Sequence, residues 1–181
     1  MAPGNYDRVV VPRRAICIIQ SGPVNVQSGL SVERGATFVL GNEENPTNMG
    51  TINGGVSSKL AKNVQIHFAT INGGINISGG DGPFGPPFDV RWNTIEDNHI
   101  TGPVVIDGYN GFWHGFIRNN VHGNVTFTNN VVADPDGNEF VTNEIHGNLA
   151  CSGNSPAPQV GDSGGAKNLV TGTRSGQCLN V

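Results

Sequence analysis

Charge is scarce in this 181-residue sequence. Charged residues make up 13% of the chain, against about 25% in typical domains. The formal net charge is −4, and only ten Lys and Arg residues are present, with no basic run beyond Arg13-Arg14. A nucleic-acid groove needs a basic face to neutralise phosphates, so that partner class is excluded. No stretch approaches the roughly 20 apolar residues of a membrane span. The opening residues, MAPGNYDRVVVPRRAI, lack the basic-then-apolar form of an export signal. The sequence as it stands therefore predicts a cytoplasmic protein, with secretion after removal of a signal as the alternative. Cysteine is scarce too. Cys17, Cys151 and Cys178 allow one internal disulfide at most, and Cys151 and Cys178 bracket a segment poor in apolar residues, SGNSPAPQVGDSGG. A bridge between those two would close that loop; two buried thiols are the other reading.

Glycine and asparagine are abundant instead, at 27 and 23 residues. Both tolerate left-handed backbone and tight turns. With many isolated Val and Ile residues, they point to short strands joined by frequent corners. Self-similarity gives the pattern. INGGV (52–56), INGGI (71–75), ITGPV (100–104), VHGNV (121–125) and IHGNL (145–149) share the order apolar, polar, Gly, any residue, apolar, and a degenerate copy begins at Val170. The anchors Ile52, Ile71, Ile100, Val121, Ile145 and Val170 are spaced 19, 29, 21, 24 and 25 residues apart. No heptad has such a period. One turn of a three-strand β-helix does, each coil stacking about 4.8 Å above the last. The expected fold is an all-β, single-stranded, right-handed parallel β-helix of about six to seven coils in one domain. Residues 1–50 would form an N-terminal cap and first coils, 51–150 the regular coils, and 151–181 a C-terminal cap.

Alternation fixes which residues point inward: the anchors, the residues four beyond them (Val56, Ile75, Val104, Val125, Leu149), and those six beyond (Ile77, Ile106, Phe127, Cys151). Two residues before four successive anchors stand Asn98, Asn119, Asn143 and Asn168. That column reads as an asparagine ladder at a corner, its amides satisfying polar groups that the turn would otherwise bury unpaired.

The N-x-(V/I)-x-G-N pattern, the opening VVVP followed by a cysteine, and the ending CSGNSPAP…NLVTGTRSGQC resemble small right-handed β-helix proteins of actinobacteria, broadly within the pectate-lyase-like superfamily. The resemblance covers most of the chain and is clearest from about residue 95 onward. It implies the fold and carries no particular activity. The acidic Ca²⁺ cluster and Arg base of pectate lyases have no matching column here: Asp81, Asp89, Asp97 and Asp107 are scattered. A paired-carboxylate site drawn from Asp89, Asp97 or Asp107 stays open.

Two coils depart from the regular pattern, GGDGPFGPPFDVRW (79–92) and DGYNGFWHGF (107–116). They hold Phe84, Phe88, Trp92, Tyr109, Phe112, Trp113 and Phe116, seven of the twelve aromatic residues. Six of these, all but the core-facing Phe116, would wall a cleft for a small organic molecule or a glycan. Packing of the loops on themselves, or a homo-oligomer interface, is the competing reading. His99, His114 and Asp97 are the candidate catalytic groups beside that cleft. A second polar face combines Arg118, His122, Glu144 and His146 with His99, residue types suited to proton transfer near neutral pH or to a metal; Asp97 and Arg118 form a cross-coil salt pair. No phosphate loop, dinucleotide fingerprint, HExxH motif or nucleophile elbow is present, and neither cofactor nor metal is carried forward. The expectation is a cofactor-independent lyase, isomerase or cyclase guided by shape, with a noncatalytic glycan-binding or surface-structural module as its rival.

Overall fold

Val and Ile alternating with polar residues over three to six positions leave each strand with one apolar side, and parallel stacking joins those sides into a single core. In the computed structural model, which describes residues 1–82, 92–161 and 164–181 (of Trp92 the backbone alone), short parallel strands form three sheets. We call them A, B and C in the order in which each coil visits them. Sheets A and B hold eight strands each and sheet C six; the expected six to seven coils fall between those counts. One coil shows the plan: His99–Thr101 in A, Val104–Tyr109 in B, Trp113–Ile117 in C, then Asn120–His122 one level up in A. Residues 1–50 already contribute two strands to every sheet. The molecule is a parallel β-solenoid. None of its described helices is long and apolar enough to cross a membrane.

The register follows the repeat. Ile52, Ile71, Ile100, Val121, Ile145 and Val170 pair in one column, and Val56, Ile75, Val104, Val125 and Leu149 in another. The anchors from Ile52 to Ile145 are fully buried. Sheet C adds a third column, Ile19, Leu40, Ile66, Ile95, Phe116 and Phe140, with the Phe116 and Phe140 rings stacked 4.9 Å apart. The motif glycine has a steric reason. A Cβ on Gly123 would collide with the Gly102 carbonyl beneath it, and one on Gly147 with the Gly123 carbonyl.

From Phe68 upward the chain turns from sheet C into sheet A on one left-handed residue per coil: Phe68, Asp97, Arg118 and Thr142, with φ of 54°, 58°, 51° and 57°. None is glycine, so each turn carries backbone strain. The next residue answers it from Asn98 onward. Asn119 Oδ1 accepts the Asn98 backbone N–H and the Asn98 side-chain amide, both at 3.1 Å. Its own Nδ2 donates to the Ile95 carbonyl at 2.8 Å and to Asn143 Oδ1 at 3.0 Å. Asn143 and Asn168 repeat the arrangement above. A second ladder, Asn130, Asn154 and Gln177, stands at the corner after sheet B.

The top of the stack is closed by the short 3₁₀ helix Gln177–Asn180, whose Cys178 is bonded to Cys151 across a Cα separation of 5.2 Å. Of the two readings of these cysteines, the bridge is the one present. Cys17 is free and partly buried.

Replacing Asn119 by Ala removes four buried hydrogen bonds and strands their partners, so we expect a loss of about 3 kcal/mol. Asn72, which donates to Asn53 Oδ1 on the outer surface of sheet A, should lose less than about 1 kcal/mol when changed to Ala. Urea midpoints of the two variants check this; equal losses would deny the ladder its role.

Candidate functional site

On the side of sheet C turned away from the core lie two columns, most of whose residues are covered. One runs Ile18, Val39, Gln65, Thr94, Gly115, Glu139; the other includes His67, Glu96, Ile117 and Val141. Loops rising on either side turn this surface into a groove of about 800 Å³. Phe112 and Trp113 form an apolar wall, and residues 42–44 and Asp134 stand among its other lining groups. Phe112 is exposed and Trp113 half-buried.

The groove contains a buried charge cluster. Glu96 is 3% exposed. Arg118, from the corner one coil above, places its Nη2 on Glu96 Oε1 and grips Asp97 with two bonds, Nε to Oδ1 at 2.8 Å and Nη2 to Oδ2 at 2.9 Å. The expected Asp97–Arg118 pair is therefore present, and the same guanidinium also serves Glu96. Burial raises the Glu96 pKa from 4.5 to about 7; Arg118 opposes the shift, while Glu43 and Asp97 add to it. His67, also buried, has its Nδ1 3.5 Å from Glu96 Oε2 but makes no hydrogen bond there. Burial lowers its pKa to about 4, Asp97 opposing and Arg118 assisting, so the ring is neutral at pH 7.

The structure distributes the sequence candidates differently from the expectation. Phe112 and Trp113 do line the groove. Phe84 and Phe88 lie outside the described residues, as does the Trp92 side chain; the Trp92 backbone pairs with Trp113. Tyr109 is 1% exposed and belongs to the core, with burial raising its pKa. His114 is a correction of the same kind. Its position in sheet C points its ring inward, stacked on Phe127 at 5.2 Å and tilted against Tyr109 at 5.3 Å. Fully buried, it reaches no groove. Asp97 sits on the corner, held by Arg118. His99 lies on sheet A, away from the groove's lining residues.

Of the second polar face, His99, His122, Glu144 and His146 come together on sheet A, whereas Arg118 stands at the corner with Asp97 and Glu96. His122 and His146 stack at 4.4 Å, His99 approaches His122 at 5.3 Å, and His146 Nε2 lies 3.2 Å from Glu144. Stacked rings face one another rather than a common point, and no group of ligating side chains among the described residues is arranged to hold a metal ion.

Sequence reasoning missed Glu96, His67 and Glu139. The first two stand four residues before the anchors Ile100 and Ile71. The same counting that placed Asp97 three before an anchor would have exposed them, had the change of direction at the left-handed corner been followed into sheet C. Compared with known protein families, with curated proteins and with solved structures, the chain matches none. What defines it is the β-solenoid and the acidic, aromatic-walled groove on sheet C.

The buried His114 makes stability depend on pH. Its Nδ1 lies 2.6 Å from the Asn93 carbonyl and must carry the proton, leaving Nε2 without a partner. Burial holds its pKa at about 4, against the pull of that hydrogen bond. Between pH 6.5 and 4 the unfolded chain takes up a proton that the folded ring refuses, so its contribution is intact above pH 6.5 and is lost as pH falls towards 4. The full loss is about 3 kcal/mol. His114→Phe should abolish this component, the stability gap between the two proteins shifting by that amount in the variant's favour from pH 7 to pH 4. Parallel stability profiles would contradict the assignment.

Proposed function

We propose that the groove on sheet C binds an organic small molecule and catalyses a proton-transfer reaction of the isomerase or lyase type, with Glu96 as the general acid–base. The supporting observation is a nearly buried carboxyl, poised near neutrality, opening on a groove beside two aromatic side chains. A group with a pKa near the working pH is present in both forms, and that maximises its use as donor and acceptor. Phe112 and Trp113 hold the apolar part of the molecule; fixing it against the carboxyl removes part of the barrier. Glu96 in its ionised form takes a proton from the bound molecule and returns it at another position, or keeps it while a leaving group departs and later releases it to water. Arg118 holds the carboxyl in place, and its charge keeps the Glu96 pKa from climbing further. Neutral His67 lines the groove beside it.

The rival reading, a noncatalytic glycan-binding module, draws on the exposed outer surface of sheet A, where the His122 and His146 rings stack beside polar side chains. The affiliation with actinobacterial pectate-lyase-like proteins remains a proposal carried by the sequence pattern, and the solenoid fold agrees with it.

Ligands found by thermal stabilisation should be incubated in D₂O and followed by NMR. Deuterium should enter the bound molecule, and Glu96→Gln should slow that exchange by about 10²- to 10⁴-fold while leaving binding largely intact. Trp113→Ala should weaken binding itself. Tight binding with no exchange in the unaltered protein would favour the glycan-binding module and overturn the enzyme.

A further inference from the structure

The charge of the groove narrows what it can hold. Glu43, Glu44, Glu96 and Asp134 line it together with Glu139, and among the described lining residues Arg118 is the one side chain with a permanent positive charge. That charge is already engaged by Asp97, bidentately, and by Glu96. An incoming carboxylate or phosphate would meet repulsion and, among the described lining residues, no unoccupied permanent cation.

Two further features favour a cation. The Phe112 and Trp113 side chains offer aromatic faces, which attract ammonium groups through the ring quadrupole. His67 supplies an independent indication. It is 4% exposed, it lines the groove, and its Nδ1, 3.5 Å from Glu96 Oε2, has no hydrogen-bond partner. A buried polar nitrogen left unmatched costs stability unless something else meets it. A neutral imidazole has one acceptor nitrogen, which is Nδ1 when the proton sits on Nε2, and an ammonium has three donors and no acceptor. Carboxylates, a neutral histidine and aromatic faces together form a set of acceptors for N⁺–H.

We propose that the ligand of this groove is an organic amine in its cationic form, the ammonium seated among the carboxylates with its hydrocarbon or ring portion against Phe112 and Trp113. This rests on the groove being the functional site and names the chemical class that it takes. It also separates the protein from any role in handling anionic molecules at this position.

The test is calorimetric titration of the full chain with three probes that share one aromatic body: 2-phenylethylamine, 2-phenylethanol and phenylacetate. The amine should bind at least about tenfold tighter than the alcohol, and phenylacetate most weakly. Added salt should weaken the amine and leave the alcohol unchanged. Glu43→Gln combined with Glu44→Gln should erase most of the amine's advantage, and Trp113→Ala should weaken amine and alcohol alike. Equal binding of amine and alcohol, or preference for phenylacetate, would overturn the inference and leave the groove standing as a binding site. Amine binding unaffected by these variants would place it elsewhere and also overturn it. Failure of all three probes to bind would count against both the inference and the groove reading.

Discussion

A solenoid has to turn a corner several times per coil, and in the four upper levels here the turn from sheet C into sheet A is made on a single left-handed residue that is not glycine. Such a turn points backbone N–H and carbonyl groups into a dry interior. Left unpaired, each would cost about 1–3 kcal/mol. The Asn98–Asn119–Asn143–Asn168 column meets that cost at every upper level, each amide bonding to a carbonyl about one coil's chain length away and, up to Asn143, to the amide above. The inward columns of Val, Ile, Leu and Phe provide the cohesion of the stack, but the ladder is what lets the corner stay at one residue.

That constraint also places the groove. Glu96, Asp97 and Asn98 are consecutive, and their side chains go three ways: Glu96 to the outer surface of sheet C, Asp97 to the corner, Asn98 into the ladder. One level up, Arg118 occupies the same left-handed position as Asp97 and reaches down to both carboxylates. The ion cluster is therefore a by-product of corner geometry repeated one coil apart. Its chemical interest comes from unequal burial. Asp97 keeps contact with water, whereas Glu96 is covered, and desolvation outweighs the favourable field of Arg118. A surface pair of this kind would contribute little; a covered carboxyl with a shifted pKa is a chemical tool.

The stacking columns were readable because sheet strands repeat with period two and each anchor precedes a glycine that the coil below requires. Ile52 to Val170, Val56 to Leu149 and the four asparagines all fall where counting put them. The His99, His122, Glu144 and His146 surface was equally legible, since it lies next to the anchors. Counting failed across the long, variable turns between sheets B and C. Tyr109 and His114 were placed in a loop, whereas they end one strand and belong to the next, and the period puts both rings inside. Composition gave no hint of this, because an aromatic cluster in an enlarged coil has the same composition whether it faces a ligand or the core. Glu96 and His67 escaped for the opposite reason: isolated polar residues look like solvated surface until loops and side chains of neighbouring coils are seen around them.

Glu96 is the centre of the proposed chemistry, a carboxyl with its pKa raised by burial and open to a groove. Selective ¹³C labelling of glutamate side chains, with Glu96→Gln to assign the resonance, gives its titration directly. The expected midpoint is about pH 7, well above the ordinary glutamate value of about 4.3. A midpoint at or below that ordinary value would show the carboxyl to be a permanently ionised partner of Arg118, and the acid–base role built on it would fall.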